Sequence, residues 1–186
     1  DVNDPNINEK LKDYSETLIH QIDTMTTVAS AFSNFANMPA QQNELVNIVQ
    51  ISKRALEIFN EEFIDFKTTE KEIFTLFDRA QLTRIVTNLV KNAIQAIPEN
   101  QELKSVIVAL SKVENQFVLK ISDNGIGISK ENAGFIFEPK FTTKNSGMGL
   151  GLAIIKNIIE NYKGTITFDT EEGKGTTFTV TLPIKN

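Results

Sequence analysis

Between residues 7 and 38 the chain contains neither glycine nor proline, and apolar or small side chains return every seven positions. One register runs Leu11, Leu18, Met25, Phe32; the other runs Ser15, Ile22, Ala29, Ala36. Interleaved three and four apart, they form the seam of a long helix that packs against other helices. An amphipathic surface helix shares this pattern, but heptads sustained over such a length favour a bundle or dimerisation helix. Alone, the helix cannot bury its seam, so it implies a partner helix. Pro39 and the polar Gln41, Gln42 and Asn43 end the pattern. A boundary near residues 39–44 is therefore expected, with a helical segment over 1–43 and a second domain over 44–186.

Charge and composition exclude several classes. The net charge is −5, of which residues 1–43 hold −4: six acids (Asp1, Asp4, Glu9, Asp13, Glu16, Asp23) against Lys10 and Lys12. Neither part has a basic stripe, so no nucleic acid is expected as partner. No stretch approaches the ~18 apolar residues of a bilayer span, so no membrane contact is expected. The chain opens on Asp1 without a signal-peptide pattern or an initiator methionine, which suggests a fragment of a cytoplasmic region. The absence of cysteine rules out disulfides and thiolate-held metals. The single histidine, His20, makes a Ser–His–Asp triad or a poly-histidine zinc site a poor reading.

Periodicity predicts the elements of the second domain. Residues 45–60 have a helical period through Leu45, Ile48, Val49, Ser52, Leu56 and Phe59, and residues 63–67 and 73–77 read as short strands. Asp78 is a candidate N-cap for a helix reaching Ile97 and stopped by Pro98. Residues 106–113 and 117–122 alternate like paired strands around Glu114 and Asn115. One helical turn is expected near residues 132–137 and a helix over 150–162, ended by Gly164. Residues 165–170 and 176–183 read as a closing hairpin.

Three clusters in this domain carry chemistry. On the helix over 81–97, Asn88 and Asn92 lie four apart on one face, with Lys91 beside them. An amide oxygen is a neutral, hard ligand suited to Mg²⁺, which takes much of its shell from water and substrate phosphates. Asp123, Asn124, Gly125, Ile126, Gly127 and Ile128 follow an apolar strand. A carboxylate there, beside glycines that admit a flat ring, can accept from an exocyclic amine such as that of adenine, whereas guanine offers a carbonyl. Gly147, Met148, Gly149, Leu150, Gly151 and Leu152 open the helix over 150–162, where alternate glycines let backbone N–H groups approach an anion. This is neither a dinucleotide-fold fingerprint nor a Walker loop, because the spacing and the terminal Lys-Ser/Thr are wrong. Between the last two clusters, Phe135, Phe137 and Phe141 would anchor a flap, and Lys140, Thr142, Thr143 and Lys144 offer donors to phosphates. Taken singly, each cluster has a bland alternative: a solvated helix face, a plain turn, a flexible loop.

The ordered set resembles the ATP-binding fold of sensor histidine kinases, shared with gyrase, Hsp90 and MutL-type ATPases, over about residues 44–186. The stretches 89–96, 137–144 and 173–178 are most similar to nitrogen-regulation-type kinases, although Lys140 departs from that pattern. The resemblance implies an α+β fold, a two-layer sandwich of a mixed sheet with helices on one face, preceded by one helix of a dimerisation hairpin. It implies ATP and Mg²⁺ as cofactors, with Asn92 and Asn88 at the metal, Lys91 and Asn88 at the transferred phosphate, and Asp123 at adenine. Gly125, Gly127, Ile128, Phe137 and Thr176 would shape the pocket. Thr142, Thr143, Lys144, Gly147, Met148, Gly149, Leu150, Gly151 and Leu152 would form its lid and phosphate grip. The hydrolytic relatives carry a glutamate where this chain has Asn88, so the resemblance favours phosphoryl transfer to a protein over hydrolysis. A nucleotide-sensing module without transfer is the other reading. His20 lacks the following acid and proline of an acceptor histidine, so the acceptor is expected on a hairpin helix missing from this chain. The expected partners are a response regulator receiver domain and a second copy, joined through the hairpin, in a membrane-anchored sensor.

Overall fold

The computed structural model describes residues 14, 15, 17–19, 21, 22, 41–139 and 149–185. The chain divides into two compact units, Asp1–Ala40 and Gln41–Asn186. In the first unit the described residues are helical and lie within the expected helix; Leu18 and Ile22, both on its seam, are exposed. The rest of that helix, with His20, lies outside the described residues.

The second unit begins with a departure from the periodicity. Glu44–Asn47 is not helical but a strand, β1, paired antiparallel with β3 (Phe74–Phe77). The helix α1 starts only at Ile48 and runs Ile48–Leu56. The reason is local. Asn47 is extended, and its side-chain oxygen accepts from the backbone N–H groups of Val49 and Gln50, capping the helix where the sequence had suggested its interior. Val46 is buried and Leu45 exposed, the period-two pattern of a strand.

The next helix, α2 (Arg79–Ala96), behaves as its sequence predicts. Asp78 Oδ1 accepts from the N–H groups of Ala80 and Gln81, at 2.9 and 3.1 Å. Leu82, Ile85, Val86, Leu89, Val90 and Ala93 form its buried stripe. Ile97 turns extended ahead of Pro98, whose ring disfavours a helical residue before it.

Five strands make the main sheet: β2 (Ile64–Thr68), β4 (Val106–Val113), β5 (Gln116–Asp123), β6 (Thr165–Glu171) and β7 (Gly175–Pro183). Their order is β2-β4-β5-β7-β6; only the β2–β4 pair is parallel. Alternate residues Val106, Val108 and Leu110, Phe117, Leu119 and Ile121, and Phe178, Val180 and Leu182 are buried. Lys120, Thr167 and Asp169, on the opposite phase, are exposed. The sheet therefore has one dry face. A one-turn helix, α3 (Lys130–Ala133), follows β5, and α4 (Gly151–Asn161) precedes β6. Helix α2 lies across β4, β5 and β7; α1 packs on α2, and α4 on α2 and β6. This is the expected two-layer α+β sandwich with helices on one face. No helix among the described residues is long and apolar enough to cross a membrane.

Leu89 is fully buried in the stripe between α2 and the sheet. Truncating it in Leu89→Ala should cost about 3 kcal/mol through lost burial and the cavity left behind. Urea denaturation of the two proteins measures this; a loss under about 1 kcal/mol would mean that the helix–sheet layer is not the core.

Candidate functional site

The loop after β5 is held at every step. Asp123 Oδ1 accepts from Gly125 N at 2.9 Å and Thr176 N at 3.3 Å, so the carboxylate is set by its own loop and by β7. Asn124 exchanges bonds with Ser105 through its side chain and backbone and donates from Nδ2 to Leu103 O at 2.7 Å. Ile126 N donates to Ala96 O, the end of α2, at 2.9 Å, while Ile126 O accepts from Gly173 N at 2.8 Å. Ile128 N donates to Thr170 Oγ1 at 2.9 Å, and that hydroxyl lies 3.0 Å from Thr176 Oγ1. The loop is clamped between the end of α2 and the β6–β7 turn.

The glycines are what allow so close a clamp. A Cβ on Gly125 would stand 2.3 Å from Ala96 O; one on Gly127, which has φ +71°, would stand 2.3 Å from Glu171 O. Their first role is thus backbone packing, which the sequence pattern alone did not reveal.

On α2, Asn88 Nδ2 donates back to Arg84 O at 2.9 Å. Its Oδ1 is thereby turned toward the start of α4: a Cβ on Gly151 would lie 3.1 Å from that oxygen. Asn92, one turn on, is half-buried, and Lys91 is exposed. Gly149 has φ +62° and Leu150 is buried; Leu150, the N-cap of α4, has an apolar side chain that makes no capping bond to the first N–H groups. An amide oxygen therefore lies close to the start of α4, the positive end of that helix.

Phe137 sits elsewhere. Its ring packs edge-on against Phe168 and Phe178, at 6.0 and 6.4 Å between centroids, and Lys156 Nζ lies 5.5 Å from it. It anchors the stem of the segment expected to form the lid. Thr142, Thr143, Lys144, Gly147 and Met148, and with them Lys140, lie outside the described residues. The structure brings Asn88, near the middle of α2, against Gly151 at the start of α4; Gly149, Leu150 and Leu152 flank Gly151 in the chain, and Asn92 lies one turn along α2. It joins Asp123, Gly125, Gly127, Ile128 and Thr176 in the loop clamp. Sequence reasoning missed Thr170, whose hydroxyl serves a backbone 42 residues away. It also missed the anchoring role of Asn124, which the turn-like Asn-Gly pair disguised.

The donor set suits a hard cation held largely by its ligand. No cluster of three or more His, Cys, Asp or Glu residues exists among the described residues, whereas Asn88 supplies an oriented neutral oxygen. Such a site fits Mg²⁺ carried in on phosphates and water.

The profile of the histidine kinase-, DNA gyrase B- and HSP90-like ATPases matches residues 77–186, from the end of β3 onward. The chain belongs to that family. Within the family it is similar to the sensor histidine kinase ZraS of Escherichia coli, at 43% identity over 109 residues, covering 58% of this chain and 22% of that protein. It is also similar to the nitrogen regulation protein NtrY of Azorhizobium caulinodans, at 30% over 176 residues, covering 90% and 23%. Among solved structures, the catalytic domain of histidine kinase ThkA superposes with a TM-score of 0.68 at 28% identity, covering 77% of this chain and 97% of that one. The chain spans less than half the length of the curated relatives it matches.

The clamp is tested by two glycines. Gly125→Ala should destabilise the protein by about 2 kcal/mol or more, because its methyl meets backbone that cannot yield. Gly134→Ala, where a Cβ meets nothing within 4 Å, should stay within about 0.5 kcal/mol of wild type. Denaturant midpoints compare the two; equal effects would show that the loop is not pressed against α2.

Proposed function

We propose that this chain is the ATP-binding catalytic part of a two-component sensor histidine kinase, binding Mg²⁺–ATP between α2, α4 and the β5–α3 loop. The reading rests on α2. That helix carries Asn88 and Asn92 toward the site and contains no Asp, Glu or His. Hydrolysis needs a base to activate water, worth typically ~10²–10⁴-fold in rate. An amide whose NH₂ donates to a carbonyl is no proton acceptor. Phosphoryl transfer rests instead on positioning and charge neutralisation, with the nucleophile brought by another segment.

In this reading Asp123, its direction set by Gly125 and Thr176, accepts from the adenine amine. Ile128, Gly125, Gly127 and Thr176 shape the ring pocket. Asn92 and Asn88 hold Mg²⁺, which when bound neutralises charge on the β- and γ-phosphates. Lys91, the first N–H groups of α4 with Gly149, Leu150, Gly151 and Leu152, and the lid residues Thr142, Thr143, Lys144, Gly147 and Met148 grip the phosphates. The γ-phosphoryl group moves to a ring nitrogen of a histidine: the P–O bond to the β-phosphate breaks, the P–N bond forms, and the ring N–H proton passes to solvent as ADP leaves.

The acceptor is a histidine on a dimerisation hairpin other than His20, which is followed by Gln21, Ile22 and Asp23 rather than by an acid and, shortly after, a proline. Residues 1–43 are read as the second helix of that hairpin, and a second copy and a response regulator receiver domain as the partners. The site then works in the cytoplasmic portion of a membrane-anchored sensor.

The chain, incubated with Mg²⁺ and γ-labelled ATP and a separately supplied hairpin bearing the acceptor, should produce acid-labile, base-stable phosphate on the hairpin. Asn92→Ala should reduce the labelling rate by about a hundred-fold or more. Label on His20 would overturn the acceptor assignment, and steady release of inorganic phosphate would point to a hydrolase.

A further inference from the structure

Where the second unit begins, two residues, Gln42 and Asn43, are fastened to the far ends of both helices that carry the site. Tyr162, the C-cap of α4, is buried, and its ring stacks on Phe77 at 3.8 Å between centroids. Its hydroxyl donates to Asn43 Oδ1 at 2.5 Å and accepts from Asp78 N at 3.1 Å. Asp78 in turn caps α2 with Oδ1 and accepts from Gln42 N with Oδ2 at 2.9 Å. One phenol thus ties Asn43 to the start of α2 and the end of α4, while the Asp78 carboxylate holds Gln42 beside it. Burial, opposed by the bond from the Asp78 backbone and reinforced by the Asp78 charge, raises the phenol above its ordinary range. The hydroxyl therefore remains a donor at neutral pH.

Nothing in nucleotide chemistry requires this knot. It stands roughly 15 Å from Asn88 along α2 and from Gly151 along α4, at 1.5 Å per residue. We infer that Tyr162 is a positioning residue, a latch that fixes the chain at Asn43 to both site-bearing helices and so transmits the placement of the preceding segment to the pocket. The inference rests on the proposed kinase reading for its consequence, and on the Tyr162–Asn43–Asp78 geometry alone for its existence. A rod fastened at its outer end moves as one with whatever pulls that end. Loosening the latch should leave the pocket able to bind but poorly aimed at an acceptor delivered through the preceding segment.

Tyr162→Phe keeps the ring and its stack on Phe77 while removing the hydroxyl; Asn43→Ala removes the acceptor of its proton. In the 186-residue chain, each variant should speed amide hydrogen exchange at Gln42 by about ten-fold, and the double variant no further than either alone. Calorimetric Mg²⁺–ATP affinity should stay within about two-fold of wild type. In the full-length protein, Tyr162→Phe should lower kcat for histidine labelling by about five-fold or more with KM for ATP unchanged. Unchanged exchange at Gln42, additive effects, or a parallel loss of ATP affinity would overturn the latch. Wild-type protein that labels no histidine would instead sink the kinase reading, and the exchange data would still decide the latch.

Discussion

Asp123 has a carboxylate whose direction is set before any ligand arrives, and the rest of the site is arranged around that constraint. Its Oδ1 accepts from Gly125 in its own loop and from Thr176 on the neighbouring strand. Those bonds exist because the loop can press against the end of α2 and the β6–β7 turn. The pressing in turn requires glycine at 125 and 127, where any Cβ would meet a carbonyl at 2.3 Å. A charge-assisted contact to a ligand gains most when the group need not reorganise to make it. The clamp provides that preorganisation from backbone bonds rather than from a mobile side chain.

The other half of the site has a different character. Asn88 and Gly151 meet where α2 passes the start of α4, bringing a neutral oxygen to the N-terminal end of a helix. An amide oxygen and backbone N–H groups can offset charge but cannot take a proton. The fold is common to kinases and hydrolases, so the separation between them lies in this chemistry rather than in the architecture. Helix α2 carries no acid or histidine, and on the proposed reading the nucleophile comes from another segment.

Much of this was legible in the sequence, for identifiable reasons. Asp78 ahead of an apolar-periodic run, and Pro98 after it, delimited α2 because caps and breakers act locally. The alternation in β4, β5 and β7 survived because a sheet with one dry face keeps a clean period of two. Residues 45–47 misled because Leu45 fits a helical period with Ile48, Val49 and Ser52 as well as a strand. The deciding partner is β3, some 30 residues on, and the deciding cap is Asn47. Thr170 and Asn124 were unreadable as anchors, since their partners are set by tertiary contact alone. The glycines of the loop were recognised as important, but for the ring they would admit rather than for Ala96 and Glu171, which they already face.

The central claim is that the clamped carboxylate reads an adenine ring. Titration calorimetry with Mg²⁺–ATP and Mg²⁺–GTP, on wild type and on Asp123→Asn, tests it most directly. Asparagine keeps an oxygen for Gly125 and Thr176 but loses the charge. The account predicts GTP binding about a hundred-fold weaker than ATP, and a loss of about 1–3 kcal/mol for ATP in the variant. Equal affinity for the two nucleotides, or a variant that binds ATP like wild type, would contradict it.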